Sequence, residues 1–116
     1  MTAQKFDPRK DEDVAGLAAA LVAFALGLSA EAVAGPGRGR PVEARARHVA
    51  MYLAYTGCDM SLARVARAFQ RDRSTVAHAC QLVEEYREDP DFDIWVEQLA
   101  VGLRSVAVLA ARELPA

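Results

Sequence analysis

The stretch from Arg45 to Asp89 reads RARHVAMYLAYTGCDMSLARVARAFQRDRSTVAHACQLVEEYRED, and its spacing decides the fold. Val49, Ala50 and Leu53 recur at helical spacing and predict a helix from about Val42 to Tyr55, ended by Gly57. Ser61 is a candidate N-cap for a short helix, with Leu62, Val65, Ala66 and Phe69 facing inward. Gln70 and Arg71 make a tight turn. Asp72 is placed to cap a third helix, whose Val76, Ala79, Cys80, Val83 and Tyr86 face the core. Pro90 is expected to stop it.

A short helix, a tight turn and a following helix is the layout with which a major-groove reader presents its second helix to duplex DNA. The first turn of that helix holds Asp72, Arg73, Ser74 and Thr75. A guanidinium such as Arg73 can grip guanine O6 and N7 together, a pairing worth about 1–3 kcal/mol of discrimination. Asp72 either accepts from a cytosine amino group or caps the helix. The Ser74 and Thr75 hydroxyls reach phosphate or base, and backbone N–H groups at the same helix end favour a phosphate.

Outward from this core, the chain is predicted to be helical throughout. Val14, Leu17, Ala18, Leu21, Val22, Ala25 and Leu28 form one stripe of a helix capped by Asp13. A short helix capped by Ser29, with Glu31 in its first turn, should stop at Gly35. The GPGRGRP stretch beginning at Gly35 is a loop that carries Arg38 and Arg40. A last helix runs from about Phe92 to Arg112, with Phe92, Trp95, Val96, Leu99, Leu103, Val106 and Ala110 on one stripe. Its remaining sides are also apolar, so it is deeply buried or packs on a partner. The expectation is an all-α domain of five to six helices over residues 13–116, behind a flexible lead of residues 1–12.

Charge sharpens the functional reading. The whole chain of 116 residues has a formal net charge of −2. Residues 38–78, however, hold eight arginines against Glu43, Asp59 and Asp72, a local +5. Residues 79–116 hold three basic and eight acidic groups, a local −5. A focused basic patch on an acidic body is an electrostatic footprint for a polyanion. Arginines scattered over solvated helix faces are the plainer alternative.

Other classes find little support. Cys58 and Cys80 make no disulfide framework. With His48 and His78 they lack the CxxC or HxxxH spacing of a structural zinc site, and they read as reduced cysteines of a cytosolic protein. No paired acid cluster or Ser/His/Asp order suggests an enzyme. No GxxxxGK[ST] loop or other cofactor signature appears. Val14–Ala30 lacks the positive flank of a signal segment, and Glu97, Gln98 and Arg104 interrupt the last apolar run, so it does not span a membrane.

The order of residues resembles the C-terminal DNA-binding domain of the bacterial initiator DnaA. One part of that pattern is matched by Arg45, Arg47, Ala50, Met51 and Leu53. The other is matched by Ser61, Leu62, Val65, Phe69, Arg71, Asp72, Ser74, Thr75, Val76, His78 and Ala79. The resemblance covers about residues 14–100 and implies a cytoplasmic, nucleoid-associated binder of double-stranded DNA. It implies that Arg45 enters the minor groove and that Asp72, Arg73, Ser74 and Thr75 meet the major groove. Arg38, Arg40, Arg47, Ser61, Arg64 and Arg71 would then hold phosphates, and His78 would be structural. Two departures stand out. The family's Gly-Gly turn is one residue shorter, leaving Gln70, and its base-reading His is Arg73. Without a P-loop, the expected role is that of a stand-alone transcriptional regulator or replication modulator. The alternative is an interaction protein that kept the fold and docks a partner through its last helix. A homodimer through that helix suits both.

Overall fold

The computed structural model describes residues 5–112, and among these there are six helices and no strand. They are α1 (Asp11–Leu26), α2 (Ala30–Ala34), α3 (Pro41–Gly57), α4 (Leu62–Phe69), α5 (Arg73–Tyr86) and α6 (Pro90–Ala110). The all-α expectation is met. The N-terminal lead lies partly outside the described residues.

Helix α3 is the hub and packs against each of the other five. Its Ala46, Val49, Ala50, Leu53 and Ala54 are all buried. Alanines on several sides let neighbouring helices approach closely without leaving voids. The rest of the core comes from Ala18, Ala19 and Val22 of α1, Val65 and Phe69 of α4, Val76 and Val83 of α5, and Val96 and Leu103 of α6. No helix among the described residues is long and apolar enough to cross a membrane.

Several boundaries differ from expectation for local reasons. Helix α1 starts at Asp11, not Asp13. The Asp13 carboxylate sits inside the first turn and accepts the Asp7 N–H at 2.8 Å, which ties the incoming chain to the helix. Gly27 ends α1 with φ 70°, a left-handed cap that satisfies carbonyls at the helix end. Helix α2 is capped as expected, the Ser29 hydroxyl accepting from Ala32 N–H at 3.1 Å. Helix α5 ends at Tyr86, and Pro90 opens α6 rather than stopping α5. Proline lacks only an N–H that the first turn of a helix leaves unused, and Asp89 caps that turn by accepting from Asp91 N–H at 2.9 Å. Tyr86 turns out of the core, 40% exposed, with its ring edge against Phe92.

Candidate nucleic-acid interface

The face that α4 and α5 present is built by their turn. Gln70 takes φ 55° and ψ 47°, and its N–H reaches back to the carbonyls of Ala66 and Arg67. Arg71 N–H bonds the Ala66 carbonyl at 2.9 Å. One left-handed residue thus closes α4 and redirects the chain into α5, where the family pattern uses two glycines. Ser61 caps α4 by accepting from Arg64 N–H at 3.2 Å.

At the start of α5, Asp72, Arg73, Ser74 and Thr75 are all exposed. Asp72 occupies the N-cap position, but its carboxylate makes no capping hydrogen bond. The expected side-chain cap is therefore not made; the Asp72 carbonyl only accepts the first hydrogen bond of the helix, from Val76 N–H at 3.0 Å. Among the described residues no side chain bonds the first-turn amides, and with the positive end of the helix dipole they are open to an anion. Ser74, Ala77, His78 and Gln81 continue the outward stripe of α5, and each is exposed. His78, expected to be structural and packed, belongs to this outer face. The i, i+4, i+7 spacing from Ser74 is the signal that marks it.

Arg71 links this turn to the glycine-rich loop. Its Nη2 donates to the Gly35 carbonyl at 2.8 Å and to the Gly37 carbonyl at 2.9 Å. Gly37 and Gly39 have φ 83° and 66°, conformations glycine adopts without penalty. The loop is thereby held beside the start of α5, with Arg38 and Arg40 exposed on it. Glu43 accepts from the Arg40 N–H at 2.8 Å and from its guanidinium at 3.1 Å, which fixes the end of the loop at the start of α3. These bonds hold the Glu43 carboxyl below its usual range.

The remaining arginines are engaged differently from expectation. Arg47, expected to hold a phosphate, is 5% exposed, and its guanidinium donates to the carbonyls of Val33 at 2.8 Å, Ala32 at 3.2 Å and Arg38 at 3.4 Å. Those carbonyls lie at the end of α2 and in the loop, where no helical N–H completes them, so the arginine turns inward to satisfy them. A guanidinium so placed has no open path to a phosphate. Arg64 is exposed but paired with Asp11 in a two-bond contact at 3.0 and 2.7 Å. The Arg64 hydrogen bonds hold the Asp11 carboxyl below its usual range, and the pair's charge is locally cancelled. Arg45 is exposed and lines a groove with Glu85, Tyr86, Asp89 and Phe92. Its surroundings are therefore acidic and aromatic on one side.

Arg38, Arg40, Arg71, Asp72, Arg73, Ser74 and Thr75 thus come together around the loop and the turn. Arg45 stands apart near the far end of α5, Arg64 is neutralised on the α1 side, and Arg47 lies beneath the loop it braces. Among the described residues no group of three or more His, Cys, Asp or Glu side chains is placed to hold a metal. The Cys80 thiol is pushed up to about 11 by burial and by Glu84, which leaves it an inert core residue.

Comparison with known proteins gives the same outline. The bacterial dnaA protein helix-turn-helix family matches residues 18–83. The chain is 40% identical over 61 residues to the chromosomal replication initiator protein DnaA of Symbiobacterium thermophilum, spanning 51% of this chain and 13% of that protein. It is similar to a crystal structure of a DNA replication initiation factor with a TM-score of 0.71 and 33% identity, over 82% of this chain and 29% of the other.

Proposed function

The chain belongs to the bacterial dnaA protein helix-turn-helix family, and from that premise we propose that it binds double-stranded DNA through the start of α5 and the loop braced by Arg47 and Arg71. One observation carries the reading: an exposed Arg73–Ser74–Thr75 turn beside a loop that Arg71 holds in place. Arg73 reads a base edge, with guanine the preferred partner of its two-pronged guanidinium. Ser74, Thr75, His78 and the first-turn amides contact base or phosphate. Arg38 and Arg40 hold the adjacent backbone. Arg45 meets the groove on the next turn of the duplex, and Asp72 disfavours bases that offer only acceptors.

The finer role we propose is regulation at initiator-type sites, either of transcription or of replication initiation by competition for those sites. The chain spans 13% of the length of the initiator it matches.

The test is fluorescence anisotropy with a duplex carrying an initiator-type box and with a scrambled duplex, each titrated with salt. Affinity should fall log-linearly with salt, with a slope of about −0.9 per neutralised phosphate. Preference for the box supports competition with the initiator. Equal, salt-sensitive binding keeps DNA as ligand and moves the target elsewhere. No binding at moderate salt overturns the reading. Arg38→Ala should weaken all duplexes alike and make the slope shallower by about one, and an unchanged slope would remove the loop from the interface.

A further inference from the structure

The residues that lead into α1 are Lys5, Phe6, Asp7, Pro8, Arg9 and Lys10, and the fold brings the last of them to the edge of α4. Arg64 of α4 reaches Asp11, the first residue of α1, and donates two hydrogen bonds to its carboxylate. That clip sets Lys10, at the N-cap position of α1, beside α4. Arg9, Lys10, Asp11, Glu12, Arg64 and Arg67 line one shallow concavity there. Its four cations are not equivalent. Arg9 is paired with Asp7, and Arg64 with Asp11. Lys10 and Arg67 are exposed, and among the described residues neither side chain has a hydrogen bond or an ion pair.

Helix α4 carries this strip to the turn. Arg64, Arg67 and Gln70 follow one another at three-residue spacing and so share a face. Val65, Ala66 and Phe69 occupy the buried side of the same helix. The open face therefore runs from the start of α1 to the turn that opens α5. In a helix-turn-helix the first helix crosses the nucleic-acid backbone while the second enters the groove. We propose that Lys10 and Arg67 hold phosphates of the DNA backbone along α4, and that Arg64 is the positioning residue that keeps Lys10 there through Asp11. This inference rests on the DNA-binding reading and adds a second stretch of backbone to the one met by Arg38 and Arg40.

Charge in the concavity selects a polymer over a free anion. Glu12 is exposed in the same lining as the two unpaired cations. Nothing encloses them, so an isolated phosphate gains little there. A phosphate on a duplex already held elsewhere meets each cation at high effective concentration. Each such contact releases counterions and shows itself in the salt dependence of binding. Because neither the core nor a carboxylate uses these two charges, their removal is felt by the ligand and not by the fold.

The test is a salt titration of the full chain's affinity for one duplex, read by fluorescence anisotropy. Lys10→Gln and Arg67→Gln remove charge and keep a polar chain. Each should make the log–log slope shallower by about 0.9, and the double variant by about 1.8, with helical circular dichroism unchanged. Arg64→Gln should make the slope shallower as Lys10→Gln does, and Lys10→Gln added to it should then change nothing more. Additive losses in that pair overturn the positioning role of Arg64. An unchanged slope in the Lys10→Gln/Arg67→Gln double variant, where the unaltered chain binds with a steep one, overturns the whole inference and leaves the DNA-binding reading standing. An unaltered chain with no salt-sensitive binding overturns both.

Discussion

At its start, α5 shows Arg73, Ser74 and Thr75 to solvent, and among the described residues none has a side-chain hydrogen bond or ion pair. At its end, about four turns later, Arg87 is held in place: it bonds Asp93 at 2.5 Å, the Tyr52 hydroxyl at 3.1 Å, and Glu97, while the Tyr52 hydroxyl also bonds Glu84. The Arg87 guanidinium lies 5.9 Å over the Tyr52 ring. The hydrogen bonds it donates to Asp93 and Glu97 hold its proton more tightly than usual. One helix thus spends the arginine at its end on joining α3, α5 and α6, and leaves the arginine at its start without a partner. A guanidinium with its donors filled stabilises the fold and has nothing left for a ligand. One with all five donors in water is costly only in mobility and is ready for a phosphate or a base. Partner occupancy, more than position in the charge pattern, separates the arginines spent on the fold from those left available to a ligand.

Arg47 offers the hardest trial of that distinction. Arg47→Ala leaves the buried Val33 carbonyl and the partly buried Ala32 and Arg38 carbonyls without this donor and should cost about 2–4 kcal/mol of stability, read by urea denaturation. A cost below about 0.5 kcal/mol would show that the inward bonds are not what holds the loop. Arg73→Ala should do the reverse: about 1–3 kcal/mol of DNA affinity, with base preference relaxed at one position and the unfolding curve unchanged. Equal loss on every sequence would make Arg73 a phosphate contact only. Arg87→Ala should cost about 1 kcal/mol of stability, since its ion pairs are partly exposed, and leave the salt dependence of DNA binding where it was. If DNA affinity fell with it, the two ends of α5 would not be separable.

The smallest effect concerns pH. The His48 Nδ1 is buried with no hydrogen-bond partner among the described residues. Burial, with Arg47 and His78 nearby, lowers the His48 pKa from 6.5. The unfolded chain then binds a proton more readily than the folded one, so stability is full above about pH 6.5 and falls as pH drops below it. Thermal melts between pH 7.5 and 5.5 should show this decline, and His48→Gln should flatten it. An identical decline in the variant would assign it to other groups.

The helices and the turn between α4 and α5 were legible in the sequence because each rests on near-neighbour physics: apolar spacing, a Ser cap, glycine punctuation. The basic cluster was legible because a composition shift needs no coordinates. Misplaced boundaries came from residues with two uses. Pro90 breaks one helix and opens the next with the same ring, and Asp13 is an equally good cap or first-turn residue. The resemblance assigns Arg47 and Arg64 to phosphates, and a residue pattern along one helix fixes the direction of a side chain relative to that helix alone. Arg47 points at carbonyls 14 and 15 residues away in sequence, and Arg64 at a carboxylate 53 residues away.

The sequence by itself therefore determined that this is an all-α chain with a helix, a tight turn and a second helix carrying Arg73, Ser74 and Thr75 at its start. Only the tertiary structure decided which arginines remain available. A charged side chain goes to whichever unsatisfied group lies within reach, and reach is a property of the packed chain.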